Sequence, residues 1–177
     1  VYQHDLKTYP EYGIWYPTFL DSTDDGLATT SSARYLCTFG DGTLEDLEIS
    51  CDVKLTGDNG TGIIGLVISA DKWAFNNTDL DNYKSLQGDY FAFNNTKVTI
   101  IRSNYQYSDE SCRDIFIFDT NRVYNIKAVK QGKVLTMYVD GKKVLETFDP
   151  MGKNRGYCGL YANYIEGVFS NLKIKTL

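Results

Sequence analysis

Three segments of the chain combine aromatic rings with carboxylate and amide groups. They are Asp71–Asn77, Asn104–Asp109 and Tyr161–Glu166. Aromatic faces cover C–H surfaces of a bound molecule, while Asp, Asn and Glu bond its hydroxyl groups, so this mixture is typical of sites for polyhydroxyl ligands. The candidate ligand-binding residues in and beside these segments are Asp71, Trp73, Tyr83, Tyr105, Tyr107, Tyr161, Asn163, Tyr164 and Glu166.

Two of these segments fall in connections that are long for this chain, Asp71–Gly88 and Ser103–Arg113. Long connections without a periodic element are often functional. We expect ligand contacts from Asp71–Gly88 and from Tyr161–Glu166, with Trp73 or Tyr161 stacking on a ring. Two alternatives stay open at this point. The loop aromatics could instead cap the end of the fold, and Tyr161, which alternates away from the apolar face of its strand, could be an ordinary surface tyrosine.

Groups suited to catalysis are sparse. His4 is the only histidine, and it stands near the start of the chain, where we expect fraying. A base at an unanchored end cannot be held in position for nucleophilic catalysis. Glu48 and Asp52 share a strand face but lie beside Lys54, which is typical of a solvated face. The sequence therefore favours a protein that is not an enzyme.

Metal sites have one candidate. The segment Asp21–Gly26 is dense in oxygen ligands but lacks the spacing of a calcium-binding loop, so a turn is favoured and a structural calcium ion stays open. The four cysteines are Cys37, Cys51, Cys112 and Cys158, with no CxxC pair. Cys51 and Cys158 fall on apolar strand faces, and we expect them to be reduced and buried; the alternative is one or two disulfides.

Length, composition and charge exclude several classes of protein. The chain has 177 residues, 42% hydrophobic and 23% charged, which fits one folded domain over residues 1–177. The net charge is −5 and no Lys/Arg cluster stands out, which argues against a nucleic-acid surface. No run approaches the roughly 18 apolar residues of a membrane helix. No charged segment followed by an apolar run marks a signal peptide, so we expect an excised domain or a mature form.

Strand signals recur at short intervals along the whole chain. Leu44–Leu55 alternates between apolar and polar residues, and Gly62–Ala70 is an apolar run typical of a central strand. Shorter strands are predicted at Arg34–Phe39, ending at the Gly40-Asp41-Gly42 turn, and at Asp114–Phe118. Val123–Phe148 indicates a three-strand meander with a tight turn at Asp140-Gly141. No segment shows a convincing helical period. The fold class is therefore all-β, an antiparallel β-sandwich or barrel.

The second half of the chain resembles a known family. The residues that carry the likeness are the meander Tyr124–Val144 and the strands Gly156–Ala162 and Gly167–Ile174; Leu44–Leu55 and Gly62–Ile68 match more loosely. These segments resemble the concanavalin A-like lectin/glucanase superfamily. More narrowly, they resemble the laminin-G-like family 66 carbohydrate-binding modules attached to bacterial levanases and fructanases. The resemblance implies a jelly-roll sandwich whose site lies in loops at one end or on the concave sheet.

The chain departs from patterns that the resemblance implies. Family members often carry Phe-Arg just after the glycine-led strand, whereas this chain reads Val67-Ile68-Ser69. Glycosidases on this fold use paired carboxylates in an E-x-D-x-x-E pattern, and the nearest stretch, Glu45-Asp46-Leu47-Glu48, lacks that spacing. The second departure favours a binding module over an enzyme.

We therefore predict a non-catalytic carbohydrate-binding module of an extracellular or cell-surface bacterial protein. It would target an attached enzyme to polysaccharide, such as fructan or another plant or host glycan. Its expected partners are carbohydrate and other domains of a parent protein, with no nucleic acid and no membrane insertion. Two alternatives remain, an adhesion domain of a bacterial surface protein and a structural accessory sandwich of a glycoside hydrolase.

Overall fold

The structure, a computed structural model, describes residues 1–11, 13–15, 21–57, 61–71, 87–103 and 108–177. Within these residues all regular structure is β-strand, and no helix that could cross a membrane is present. The strands are β1 (Tyr2–His4), β2 (Gly13–Trp15), β3 (Asp21–Thr23), β4 (Gly26–Thr29), β5 (Arg34–Leu44), β6 (Leu47–Leu55), β7 (Ile63–Ala70), β8 (Gly88–Phe93), β9 (Lys97–Ser103), β10 (Ser108–Ile115), β11 (Val123–Gln131), β12 (Val134–Val139), β13 (Lys142–Phe148), β14 (Gly156–Asn163) and β15 (Gly167–Thr176).

The strands form two antiparallel sheets. Sheet A has the order β13-β12-β11-β6-β15-β4-β3, and β1 also pairs with β15. Sheet B has the order β10-β9-β8-β7-β14-β5-β2. One buried cluster is built from the inner faces of both sheets, so the sheets form a sandwich. The predicted antiparallel β-sandwich is confirmed.

Side-chain alternation explains how the sheets make one core. In β6 every second residue from Leu47 to Leu55 is buried, and the residues between them are half-buried. On sheet B, β7 and β8 are apolar along most of their length, and the rings of Phe91 and Phe93 are fully buried. Complete burial of a large apolar side chain contributes about 1.5–3 kcal/mol. The two-residue period of the sequence therefore determines which face of each strand enters the core.

The β12–β13 hairpin has the turn that the sequence indicates. Asp140 and Gly141 both have positive φ, at 49° and 79°. A type I′ turn requires that backbone at both central residues, and it matches the twist of the two strands that it joins. The Asp140 carboxylate accepts a hydrogen bond from the backbone N–H of Asn125 at 2.8 Å, which fixes the turn against β11.

Two predicted strand boundaries are wrong. The strand predicted at Arg34–Phe39 was expected to end before Gly40, but β5 continues to Leu44. Gly40 and Gly42 have φ of 99° and 84°, and here the register against β14 shifts, so the glycines form a bulge rather than a turn. The strand expected at Asp114–Phe118 lies instead at Ser108–Ile115. This strand lies at the edge of sheet B and is polar. Its position in the sequence is set by main-chain pairing with β9 and not by an alternation of apolar residues.

The cysteines are all unbridged, and Cys37, Cys51 and Cys158 are buried while Cys112 is half-buried. The Cys51 thiol donates to the Ser170 carbonyl at 2.9 Å. Burial raises the pKa of Cys51 and raises that of Cys158 to about 12, because a thiolate would be desolvated there. The prediction that Cys51 and Cys158 are buried thiols is confirmed.

We expect Cys112 to be alkylated first by iodoacetamide in the native protein at pH 8. Cys37, Cys51 and Cys158 should react only after denaturation, because each thiol is buried and protonated. Mass spectrometry of the native and unfolded protein, without reductant, measures both stages. Modification of Cys51 or Cys158 in the native state, or a disulfide at either one, would contradict the expectation.

Candidate functional site

A polar cavity of about 150 Å³ lies where the ends of β7, β8 and β9 in sheet B meet the connection between β13 and β14. Both sheets contribute to this region, because β13 is the outermost strand of sheet A in the pairing order. The cavity is lined by Ser69, Gln87, Gly88, Asp89, Arg102, Ser103, Met151, Gly152 and Lys153. We call this cavity the sheet-end pocket.

Lys130 supports the pocket from the interior of the sandwich. Along β11 it follows Tyr124, Ile126 and Ala128 on the core-facing side, and its side chain is buried. Its ammonium donates to Ser69 Oγ at 2.6 Å, to the Asn154 carbonyl at 3.1 Å and to the Lys153 carbonyl. A lysine of sheet A is thereby bonded to the end of β7 in sheet B. Burial lowers the pKa of Lys130, because the charged form loses hydration.

The connection between β13 and β14 forms the opposite wall of the pocket. Asp149 begins it: its backbone N–H donates to the Lys133 carbonyl at 2.8 Å, and its carboxylate accepts from the N–H of Met151 at 3.1 Å. The Lys133 ammonium donates to the Gly152 carbonyl at 2.6 Å and to Asn154 Oδ1 at 2.8 Å. Carbonyl groups that have no strand partner are therefore bonded by lysines, which holds this wall in one conformation.

An ion pair joins the two sheets behind the pocket. Arg102 in β9 donates to Asp149 Oδ1 at 2.9 Å, and the Asp149 side chain is only 5% exposed. A second ion pair joins Lys153 to Asp71, the residue after β7. The cations that line the pocket are therefore engaged with carboxylates. Removing one partner of a buried pair leaves an uncompensated charge, which is strongly destabilising.

Asp89 is the unusual group of the pocket. It is 2% exposed, and its Oδ1 has no hydrogen-bond partner among the described residues. The same holds for Oδ2 of the neighbouring Asp149. Burial, as the largest cause, and the neighbouring Asp149 carboxyl group raise the pKa of Asp89 to about 7, against the opposing charges of Lys130 and Arg102. Asp89 therefore carries its proton over part of the neutral pH range.

The lining of the pocket combines the polar side chains of Gln87 and Ser103 with the exposed side chain of Met151. Convergent polar groups beside an apolar surface are typical of sites for small molecules. The pocket is thus suited to a small, polar, hydroxyl-bearing group.

The structure does not bring the predicted site residues together at one place. Trp73, Tyr83, Tyr105 and Tyr107 lie outside the described residues. Asp71 is beside the sheet-end pocket through its ion pair with Lys153. Gln87 and Gly88, at the end of the predicted Asp71–Gly88 loop, line the pocket directly. The described ends of one of the two expected loops therefore border the pocket.

Tyr161 is not the exposed platform that the sequence suggested. It does alternate away from the main core, but it is only 4% exposed. It packs with Leu36, Val67 and Tyr90 in a second cluster, and the Tyr90 and Tyr161 ring centroids are 4.7 Å apart. Both faces of sheet B are buried at this position, so alternation gives the direction of the side chain but not its exposure.

The remaining candidates lie at the other end of sheet B. Asn163 pairs with Ile63 at the start of β7, whereas Tyr157 pairs with Ala70 at its end, beside the pocket. Seven residues of strand span on the order of 20 Å, so the Tyr161–Glu166 segment and the pocket do not form one site. Asn163 Oδ1 accepts from Arg34 Nε at 3.1 Å, and the Arg34 guanidinium lies 5.2 Å from the Tyr164 ring centroid.

Glu166 is half-buried, and its carbonyl accepts from the N–H of Thr56 at 3.1 Å. Tyr164, by contrast, is 40% exposed. Of the candidates at this end, Tyr164 is therefore the exposed aromatic ring that remains available to a ligand.

The structure also describes two other segments named from the sequence, the turn predicted at Asp21–Gly26 and the start of the chain around His4. The segment 21–26 forms the β3–β4 hairpin, with Asp25 3.6 Å from the Lys54 ammonium, and the described residues contain no cluster of three or more metal-ligating side chains. His4 is not frayed, because β1 pairs with β15 and His4 Nδ1 accepts from the N–H of Leu6 at 2.9 Å.

Sequence reasoning missed most residues of the sheet-end pocket. Ser69, Asp89, Arg102, Lys130 and Asp149 are scattered over five elements or their ends. One signal was visible: Lys130 occupies an apolar-face position of an alternating strand, where a charge must have partners. Asp89 likewise begins an otherwise apolar strand.

No protein-family model matches the chain, and no curated protein matches its sequence. Solved structures do match. A family 66 carbohydrate-binding module (CBM66) of Bacillus subtilis has a TM-score of 0.77 at 17% identity, covering 93% of this chain and 96% of that one. A Bacillus subtilis protein of unknown function with a galectin-like fold has a TM-score of 0.76 at 10% identity, covering 99% and 95%.

An enzyme also shares the fold. A prokaryotic β-1,3-1,4-glucanase (lichenase) from a mouse hindgut metagenome has a TM-score of 0.64 at 10% identity, covering 98% of this chain and 96% of that one. The chain therefore has the jelly-roll fold of concanavalin A-like lectins and glucanases, as its sequence suggested. Identities this low show the fold alone.

Asp89→Asn should change the pH dependence of stability. A carboxyl whose folded pKa is raised contributes stability that is full below its unfolded pKa, near 3.8, and lost as pH rises through about 7. At about 1.4 kcal/mol per pKa unit, the wild type should lose about 2–3 kcal/mol between pH 5 and pH 8 from this group. The variant should lack that loss in urea unfolding. The exposed Asp114→Asn is the control, and identical profiles for Asp89→Asn and wild type would contradict the expectation.

Lys130→Met should lower the free energy of unfolding by about 1–3 kcal/mol, although it keeps most of the side-chain volume. The reason is that Ser69 Oγ and the carbonyls of Lys153 and Asn154 lose a buried donor. Urea unfolding at pH 7 measures the change, and Lys175→Met, at an exposed position of β15, should stay within about 0.5 kcal/mol of wild type. Equal losses of unfolding free energy in the two variants would mean that the hydrogen bonds of Lys130 contribute nothing to stability.

Proposed function

We propose that the protein is a non-catalytic carbohydrate-binding module and that the sheet-end pocket binds the sugar. The observation that carries this proposal is the lining of the pocket, in which the polar side chains of Gln87 and Ser103 stand beside the exposed Met151. Hydroxyl groups of a sugar would bond the polar side chains, and its C–H face would cover Met151. The fold supports the proposal, because one of the structures that share it is named as a carbohydrate-binding module.

The dimensions and walls of the pocket support a single sugar ring as the bound unit. A cavity of about 150 Å³ is the size that holds a six-membered ring such as benzene. Met151 lines the pocket and is 78% exposed, so it provides an apolar surface for the C–H face of a sugar. Gln87 and Ser103 add polar groups to the lining. Convergent polar groups with one apolar wall are typical of small-ligand sites.

The absence of catalysis rests on the position of the acids. Glycoside hydrolysis requires two carboxyl groups on opposite sides of the scissile bond, about 5–5.5 or 6.5–9.5 Å apart. Asp89 instead neighbours Asp149, whose carboxyl group helps to raise the pKa of Asp89, and both side chains are buried. Such a pair does not face a glycosidic bond from two sides. It is not suited to protonating a leaving group while attacking from the other face.

The biological setting extends the proposal. The module would belong to an extracellular or cell-surface bacterial protein and would hold an attached enzyme on fructan or on another plant or host glycan. Tethering raises the effective concentration of the enzyme on its polysaccharide without any new contact to the scissile bond.

Binding should be measured by affinity electrophoresis and calorimetry on levan, inulin, xylan, galactan and mixed-linkage β-glucan. We expect at least one of these neutral polysaccharides to bind. Met151→Ala and Gln87→Ala should each weaken that binding by about 3- to 30-fold, because each removes a wall of the pocket. The thermal midpoint should not change for the exposed Met151.

Two controls distinguish the pocket from other surfaces. Ile115→Ala removes another exposed apolar side chain and should leave binding unchanged. Tyr164→Ala tests the opposite end of sheet B. Loss of binding in Tyr164→Ala together with unchanged binding in Met151→Ala and Gln87→Ala would assign the sugar to that end instead. Binding of none of the polysaccharides would refute the carbohydrate proposal.

A further inference from the structure

A second cleft lies beside β1, away from the sheet-end pocket. It has a volume of about 540 Å³, and it is lined by Tyr2, His4, Thr8, Tyr9 and Glu11. Tyr2 and His4 belong to β1, whereas the other three residues lie between β1 and β2. The Tyr2 ring packs against the main core, with its centroid 6.3 Å from that of Phe39 in β5. We call this feature the β1 cleft.

The β1 cleft and the sheet-end pocket are separate sites. The pocket lies at the ends of β7, β8 and β9, and β8 is three strands away from β5 in the order of sheet B. Neighbouring strands are about 4.8 Å apart, so the two features are separated by on the order of 15 Å. The described residues that line them are also different. Substitutions in one site can therefore be made without changing the other.

A tight turn after β1 holds the two walls of the cleft in place. Leu6 in this turn has a φ of 64°, and its side chain is fully buried in the core. The N–H of Leu6 donates to His4 Nδ1 at 2.9 Å. The N–H of Lys7 donates to Asp5 Oδ1 at 2.9 Å, and the Lys7 carbonyl accepts from Ser22 Oγ. The buried leucine and these bonds fix how the chain returns after β1, so the cleft is formed before a ligand binds.

The walls of the β1 cleft combine aromatic rings with hydrogen-bonding groups. The rings of Tyr2 and His4 are nearly parallel, at 14°, and their centroids are 6.5 Å apart, because the two residues share one face of the strand. Tyr9, on the other wall, is 47% exposed. Thr8 adds a hydroxyl group, and Glu11 adds a carboxylate that accepts hydrogen bonds.

His4 contributes a donor to this set. Its Nδ1 accepts from the N–H of Leu6, which assigns the proton of the neutral imidazole to Nε2. The described residues that line the cleft include no lysine or arginine, and Glu11 carries a negative charge. An anionic ligand would therefore meet a like charge without a compensating cation, whereas an uncharged molecule with hydroxyl groups would find both donors and acceptors.

We infer that the β1 cleft is a second binding site for a neutral sugar, in which the Tyr9 ring covers a C–H face and Glu11 accepts hydroxyl hydrogen bonds. This inference goes beyond the proposed function, which places one sugar in the sheet-end pocket. Two sites on one module hold a polysaccharide at two points, and the second contact is then intramolecular, which raises the overall affinity.

The test counts and locates the sites with neutral oligosaccharides prepared from levan, inulin, xylan, galactan and mixed-linkage β-glucan. Calorimetry on wild-type protein should give two sites for at least one of them. Tyr9→Ala and Glu11→Gln should each weaken one of these sites by about tenfold or more, because each removes a main contact. Met151→Ala should weaken only the other site. Backbone amide NMR shifts of residues 2–11 on titration should disappear in Tyr9→Ala.

Matched variants control for the loss of a ring or a charge elsewhere. Phe148→Ala removes another exposed aromatic ring, and Glu45→Gln neutralises another exposed glutamate, so both should bind as wild type does. The thermal midpoint of Tyr9→Ala verifies that the fold is intact. Glu11→Gln changes only one exposed group, so it tests the site even if Tyr9→Ala were to unfold.

The outcomes separate this inference from the proposed function. A single site in wild type that Met151→Ala weakens and Tyr9→Ala and Glu11→Gln leave unchanged would overturn the inference while the proposed function stands. A single site that Tyr9→Ala and Glu11→Gln weaken and Met151→Ala leaves unchanged would support the β1 cleft and refute the placement of the sugar in the sheet-end pocket. Failure of every oligosaccharide to bind would overturn both.

Discussion

A lysine ammonium enclosed between two β-sheets must find acceptors there, and this requirement organises one end of the sandwich. Lys130 reaches from the inner face of sheet A to Ser69 at the end of β7 in sheet B. It also bonds two carbonyls of the connection between β13 and β14. Apolar packing holds the sheets together without selecting one register, whereas these directional bonds fix how that connection lies over the end of sheet B. The pocket exists because this wall is held in place.

The ion pair between Arg102 and Asp149 completes the same construction from the other side. It joins β9 of sheet B to the residue that follows β13, the outermost strand of sheet A. Arg102 and the N–H of Met151 both bond Oδ1 of Asp149, and Oδ2 has no donor among the described residues. The Asp149 carboxyl group also helps to raise the pKa of Asp89. The bonds that support the wall therefore also shape the electrostatics of the pocket.

The two ends of sheet B differ for a physical reason. At the Tyr164 end, Arg34 lies over an aromatic ring and bonds Asn163, which is an exposed and locally satisfied arrangement. At the Ser69 end, polar groups are buried, and burial is what makes an unpaired oxygen costly. The two ends therefore differ in burial and in how their polar groups are satisfied, a difference that aromatic composition alone does not predict.

Much of the fold could be predicted from sequence, because strands are local: alternation in β6 and the Asp140-Gly141 turn each depend on a few neighbouring residues. The predicted strand boundaries were wrong where main-chain pairing, and not apolar alternation, sets the extent of the strand. This is the case in polar β10 and at the glycine bulge of β5. The site was largely invisible, since Ser69, Asp89, Arg102, Lys130 and Asp149 meet only when distant strands pair. Tyr161 shows the limit most directly. Its alternation determined the direction of the side chain, but only the tertiary structure decided its burial, because exposure depends on what packs against both faces of a sheet.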